Sequence, residues 1–247
     1  MPTAFKGLSR AMAVLLIFQF LRFHSLVEVK PALRLAITVL SLAACGVRAQ
    51  MMACCAPPQT PAQALFRAIE NGDFGEFTRL VEAGVPLSAT NGHGETPLYF
   101  AAEKGQVEMA KLLIAKGADA RALTPNGETV LHAAAMIESS TLMSSLIEAG
   151  ADKDLPNHDG EMPLHWAAMT GTFLAVKALA DAGADLDAQD ARAGNTALHA
   201  AVSHDDIVLI HYLLSKNVRT DIRNKDGVTA LEYAESRRRA SVKLFER

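Results

Sequence analysis

Between Pro61 and Arg247 apolar and polar positions recur with helical spacing inside a longer period. Val107, Met109, Ala110, Leu113 and Ile114 form an apolar stripe, and Ile207, Leu209, Ile210, Leu213 and Leu214 repeat it one hundred residues later. A second, shorter helical run precedes each stripe. It reads Thr96-Pro97-Leu98-Tyr99-Phe100-Ala101-Ala102, and matching runs start at Thr129, Met162, Thr196 and Thr229, in steps of 33, 33, 34 and 33 residues. An independent register agrees: Gly84, Gly117, Gly150 and Gly183 are also 33 apart. Each unit is predicted as a turn followed by two helices. Asn126-Gly127, Asp159-Gly160 and Asp226-Gly227 suit tight turns. The threonine then stands where a helix N-cap hydroxyl is wanted, and Pro97 and Pro163 fall in the first helical turn, where a missing N–H costs nothing. Glycine past the second helix ends it. The paired alanines Ala101-Ala102, Ala133-Ala134, Ala167-Ala168 and Ala200-Ala201 let neighbouring helices approach closely. One such unit cannot bury its own apolar face, so the units must stack.

This register resembles the ankyrin repeat, whose T-P-L-H-x-A signature and paired helices recur every ~33 residues. The resemblance implies an all-α solenoid of stacked helix pairs with β-hairpin or turn tips. Four full repeats are expected between two half-degenerate caps, at about 62–90, 91–123, 124–156, 157–189, 190–223 and 224–247. In the first cap Gln63 replaces the signature threonine and Arg67 sits at an otherwise apolar place; Arg237-Arg238-Arg239 and Lys243 solvate the last helix. In the second full repeat Ser139-Ser140 are read as replacing the turn glycine and an apolar residue, with Ser145 in the place of Leu112. The fourth carries one extra residue in Asp190-Ala191-Arg192-Ala193-Gly194, predicted to project, and Asn217 where glycine is expected.

Composition separates the chain into two parts. Residues 1–60 hold six Lys/Arg and one acid, whereas 62–217 hold ten basic and 21 acidic residues. Phosphate backbones would be repelled by the second part, which excludes nucleic acid as the expected partner. Cys45, Cys54 and Cys55 all precede the repeats, so no disulfide can staple them.

The first 49 residues read as a leader. Two apolar runs, Ala11 to Leu21 and Leu35 to Ala44, are each shorter than the roughly 18 to 20 residues of a spanning helix. Lys30 and Arg34, the second run, and Val47-Arg48-Ala49 give the layout of a secretory signal cut after Ala49. Leu42-Ala43-Ala44-Cys45 equally resembles a bacterial lipobox, which would make Cys45 a lipidated first residue. Both readings export the chain, to a periplasm or an envelope membrane. The first run is unusual ahead of a signal; a translation start near Leu26, Val27 or Val29 would give a leader of ordinary length, and an uncut signal anchor is the rival. Residues 50–61, rich in proline, read as a linker to the repeat domain at 62–247.

Candidate chemistry is sparse. His132, His165 and His199 lie at equivalent positions, but stacked helices about 8 to 10 Å apart cannot share a metal ion with ligands at about 2 Å. The resemblance makes them structural, bonded to the turn. Trp166 is read as a core aromatic, and Asp152, Asp154, Asp185 and Asp187 as solvated hairpin acids without the loop of an EF-hand. No nucleophile elbow, phosphate loop, zinc-spaced set or dinucleotide fingerprint occurs in 61–247, so neither an enzyme nor a cofactor is expected.

The resemblance implies instead a protein partner on the concave side. Carried over repeat by repeat, it marks His93, Glu95, Glu103 and Lys104, then Asn126, Glu128, Met136 and Ile137. The third full repeat gives His158, Asp159, Glu161, Met169 and Thr170, and the fourth Arg192, Asn195, Ser203 and His204. Met136, Ile137 and Met169 stand out as an apolar anchor patch or, equally, as the filling of a local gap. The expected function is a monomeric, exported binding protein, protective, regulatory or of immunity type. A secreted effector engaging host proteins is the alternative, and membrane contact is expected only through the signal or a lipid.

Overall fold

A computed structural model describes residues 60–237 and 240–245. The leader, its two cleavage readings, Cys45, and linker positions 50–59 lie outside the described residues. The expected linker, 50–61, overlaps the first helix by its last residue. Pro61 is already the first residue of helix α1 (Pro61–Asn71), capped by Thr60, whose Oγ1 accepts the Gln63 N–H at 3.2 Å while Gln63 Oε1 accepts the Thr60 N–H at 3.0 Å.

Eleven α-helices follow one another among the described residues, ten of them as five pairs and the last with a 3₁₀ turn after it. After α1 come α2 (Phe74–Glu82), α3 (Pro97–Glu103), α4 (Val107–Ala115), α5 (Val130–Ala135) and α6 (Ser140–Glu148). The series continues with α7 (Pro163–Thr170), α8 (Phe173–Asp181), α9 (Ala197–Ser203), α10 (Ile207–Ser215) and α11 (Ala230–Ser236), and a 3₁₀ turn at Ala240–Leu244 packs on α10 and α11. The odd-numbered helices form one continuous row, each touching the next, and the even-numbered helices lie against them as a second layer. No strand forms among the described residues. The tips are tight turns, with one bridged pair, Arg223 and Thr229.

The core lies between the two layers. Leu98, Leu131, Leu164 and Leu198 of the signature are buried with Leu113, Leu146, Leu179 and Leu213 of the second helices, in one cluster that runs the length of the stack. Small alanines make this possible: Ala101, Ala133, Ala167 and Ala201 have no exposed surface. The stripe in α10 is narrower than its sequence suggests, because Leu209, Ile210 and Leu213 are buried while Ile207 and Val208 face solvent. Asn217 adopts the left-handed conformation expected of it, φ 57°.

The second full repeat departs from the pattern differently from its sequence reading. Glu138, not Ser139, stands in the glycine register of Gly105 and Gly171, and Ser139 is the N-cap of α6, its Oγ accepting the Leu142 N–H at 3.3 Å. Glu138 also reaches into the next repeat, where its Oε1 accepts the Leu174 N–H at 2.9 Å in the first turn of α8. A carboxylate there meets the helix's unpaired N–H groups and its positive end. Thr172 Oγ1 donates to the Ala135 carbonyl at 2.7 Å, tying the same two repeats. Glu138→Ala is therefore expected to lower stability by about 1 kcal/mol, the usual worth of a cap, measured as a shift in urea midpoint.

Candidate binding groove

The site is built from the tips upward. Each tip is organised by one polar side chain five or six residues before the first-helix N-cap: Asn91, Thr124, Asn157, Asp190 or Asn224. Asn157 Oδ1 accepts the N–H groups of Asp159 (3.0 Å) and Glu161 (2.9 Å); Asn91 does the same for His93 and Glu95, Thr124 for Asn126 and Glu128, and Asn224 for Asp226 and Val228. A side chain that mimics a turn fixes the loop without a second strand. The inserted tip is held the same way and does not hang free. Asp190 accepts the N–H groups of Ala193, Gly194 and Asn195 at 2.5, 3.2 and 3.0 Å, and the Ala193 carbonyl accepts the Lys225 N–H at 2.8 Å.

The hairpin acids are structural rather than merely solvated. Asp152 Oδ1 accepts the Asp154 N–H, Asp154 Oδ1 accepts the Asp185 N–H, Asp185 Oδ1 accepts the Asp187 N–H, and Asp187 Oδ1 accepts the Arg219 N–H, at 2.8–3.0 Å. This relay crosses three repeats and commits an oxygen of each carboxylate to backbone.

The three equivalent histidines tie each first helix to the following tip. His132 Nδ1 accepts the Thr129 N–H at 3.0 Å and its Nε2 donates to the Glu161 carbonyl at 2.9 Å. His199 does the same between Thr196 and the Val228 carbonyl, at 3.2 and 3.1 Å. His165 accepts from Met162 but donates to the Ala188 carbonyl, because the extra residue displaces the next tip. Both ring nitrogens are used, so no lone pair is left for a metal ion. In the first full repeat Tyr99 replaces histidine, and its hydroxyl donates to Glu128 Oε2 at 2.6 Å. Burial and that carboxylate push the Tyr99 hydroxyl well above the usual phenol range.

Burial holds His132 and His199 below the ordinary imidazole value, against the raising effect of the carbonyls they face. The unfolded chain then binds more protons than the folded one below pH ~6.5, so stability is full above that value and falls as pH drops through it. Urea midpoints should be flat from pH 8 to 7 and decline toward pH 5, and His132→Asn should flatten the decline.

The first helices and tips of the third and fourth full repeats enclose a groove of about 340 Å³. Six residues marked in the sequence line it: Glu161, Met169, Arg192, Asn195, Ser203 and His204. The others lie elsewhere. His93, Lys104, Asn126, His158 and Asp159 are exposed along the tips and helix ends, and Glu95, Glu103 and Glu128 are half-buried in the earlier repeats. Thr170 is exposed, with its hydroxyl turned back to the Trp166 carbonyl at 2.9 Å. Met136 and Met169, equivalent residues of adjacent repeats, are 39% and 51% exposed. Ile137 does not join them: it is half-buried, with its side chain beside Gly105 of the preceding repeat.

Trp166 refines the sequence reading. It is half-buried, packing against the core cluster and also lining the groove, its Nε1 donating to Glu161 Oε2 at 2.8 Å and its ring meeting His132 edge-on at 5.3 Å. Ala200 and Tyr233, at the same register in later repeats, also line the groove. The signal was available: Phe100, Trp166 and Ala200 share a position one residue beyond the inward-facing Tyr99, His165 and His199, and hence turned about 100° from it.

No group of three or more His, Cys, Asp or Glu among the described residues is arranged to hold a metal ion. No described helix is long and apolar enough to cross a membrane.

Comparison with known proteins gives a consistent result. A family model for ankyrin repeats in three copies matches residues 116–190 and 175–246, and one for ankyrin repeats in many copies matches 80–134. No curated protein matches. The crystal structure of the ankyrin repeat domain of Bcl-3, described as a unique member of the IkappaB protein family, is similar at 28% identity and a TM-score of 0.67. The match covers 77% of this chain and 87% of that one. Since 607 solved chains match, the likeness fixes the architecture and leaves the partner to be read from the groove. The chain, by its repeat register, its stacked helix pairs and these matches, belongs to the ankyrin-repeat family.

Proposed function

We propose that this protein is a non-catalytic binding module that takes a segment of a partner protein into the groove of its third and fourth full repeats. Ankyrin repeats are in general protein-interaction modules. The observation that carries the placement is the pairing of half-buried Trp166 with exposed Met169 on one groove floor, rimmed by polar tips. An aromatic side chain with a polar edge, beside a flexible thioether, is the composition of an interface anchor. The stack can spare Met169, which is exposed and lies outside the core cluster, whereas Trp166 packs against that cluster as well as lining the groove. Met169→Arg should leave the urea midpoint within about 0.5 kcal/mol, as exposed substitutions do, and abolish partner recovery. Affinity capture on the two proteins in parallel reads this directly; equal recovery would remove the groove from the account.

Export through the leader belongs to the same proposal. The basic residues Lys30 and Arg34, the apolar run Leu35 to Ala44 and the small residues after it support a bacterial cell-envelope location. Intact mass of the mature protein tests it. A chain starting at lipidated Cys45 means a tethered factor and one starting at Gln50 a free periplasmic one, whereas an uncut chain contradicts export by this signal.

A further inference from the structure

The groove's surroundings say what kind of segment it takes. Glu95, Glu128 and Glu161 occupy one register, each next to the N-cap of a first helix. All three carboxylates are held by neutral donors: the Asn91 amide at 2.6 Å, the Tyr99 hydroxyl at 2.6 Å and the Trp166 indole at 2.8 Å. None of the ion pairs among the described residues involves them. Their charge is thus positioned but not neutralised, and the third of them is on the groove floor beside the apolar anchors. The cations on this side do not compensate. Lys104 is occupied by Glu103 at 3.2 Å and by the Phe100 ring at 4.9 Å, Arg237 lies over the groove-lining Tyr233 ring at 5.2 Å, Arg192 is on the far rim, and the Lys225 ammonium donates to the Ala191 carbonyl, so none of them pairs with the three carboxylates.

Resting on the groove reading above, we infer that the partner segment is basic as well as apolar, its cations meeting the register of carboxylates while an apolar side chain seats on Trp166 and Met169. Packed helices lie roughly 8 to 10 Å apart. An extended segment rises about 3.3 Å per residue, so cations at every third position fall in step with successive repeats. Such a match raises encounter rate and selects against acidic partners, and it weakens with salt.

Trp166 is the sole tryptophan of the chain, so its emission reports on this groove alone. The test titrates the full protein with a short synthetic peptide carrying lysine at every third position among leucine and serine, and with its glutamate counterpart. The lysine peptide is expected to shift Trp166 emission. Its affinity should drop about tenfold in Glu128→Gln/Glu161→Gln, drop further in Met169→Arg, and weaken as salt is raised, while far-UV circular dichroism of the variants stays unchanged. Emission shifted equally by the glutamate peptide would overturn the basic-partner inference and leave the groove reading standing. Lysine-peptide binding that neither moves Trp166 emission nor responds to Met169→Arg would place the contact elsewhere and overturn the inference, as would no response to either peptide.

Discussion

Replacing His132 by alanine is expected to destabilise the stack by about 3 kcal/mol, read as a drop in urea midpoint. The ring has no exposed surface and bridges the Thr129 N–H to the Glu161 carbonyl of the next repeat. Its removal leaves a buried donor unmet, at about 1 to 3 kcal/mol, and opens a cavity among well-packed neighbours. His132→Asn should recover part of the loss, since its Oδ1 can stand in for Nδ1 as acceptor while the bond to Glu161 is lost. Equal damage from both variants would mean that ring volume, not the Thr129 bond, is what the position supplies.

The second large effect is expected at a tip. Gly160 has φ 71°, and an added Cβ would come within 2.2 Å of Ala191 Cβ and 2.9 Å of the Ala191 nitrogen. Gly160→Ala should cost roughly 2 to 4 kcal/mol, the sum of a left-handed alanine and a clash against the following tip. Gly227 supplies the control: its φ is 75°, yet nothing lies within 4 Å of the position a methyl group would take. Gly227→Ala should therefore show only the conformational part, about 1 kcal/mol. The difference between the two unfolding midpoints isolates tip-to-tip packing. Equal losses would show that neighbouring tips yield freely.

These two sites illustrate what was legible in the sequence and what was not. The leucine of the signature recurs in all five units, the threonine in four and the histidine in three, because each performs the same job wherever it stands, so the period and the helix pairs could be read directly. The tip organisers could not be read so easily. Asn91, Thr124, Asn157, Asp190 and Asn224 place an oxygen at the same point with three different side chains, and chemical equivalence does not show as identity. The shift at Glu138 was hidden because the glycine that marks the turn elsewhere is missing there. Trp166 was only half read for a related reason: its apolar ring, next to buried His165 and Ala167, does pack against the core, but its second face lines the groove and no letter in the pattern marks that. Of the nine residues assigned to the concave side in the third and fourth full repeats, six met in one groove. Those in the first two remained spread along the tips and helix ends.

Site-specific photocrosslinking tests the central claim most directly. A photoreactive residue placed at Met169, 51% exposed in the groove, is compared in cells with one at Val208, 64% exposed on the layer of second helices. A discrete protein adduct is expected from position 169 and none from position 208. An adduct from Val208 alone would contradict it, and would move the binding surface to the opposite layer of the stack.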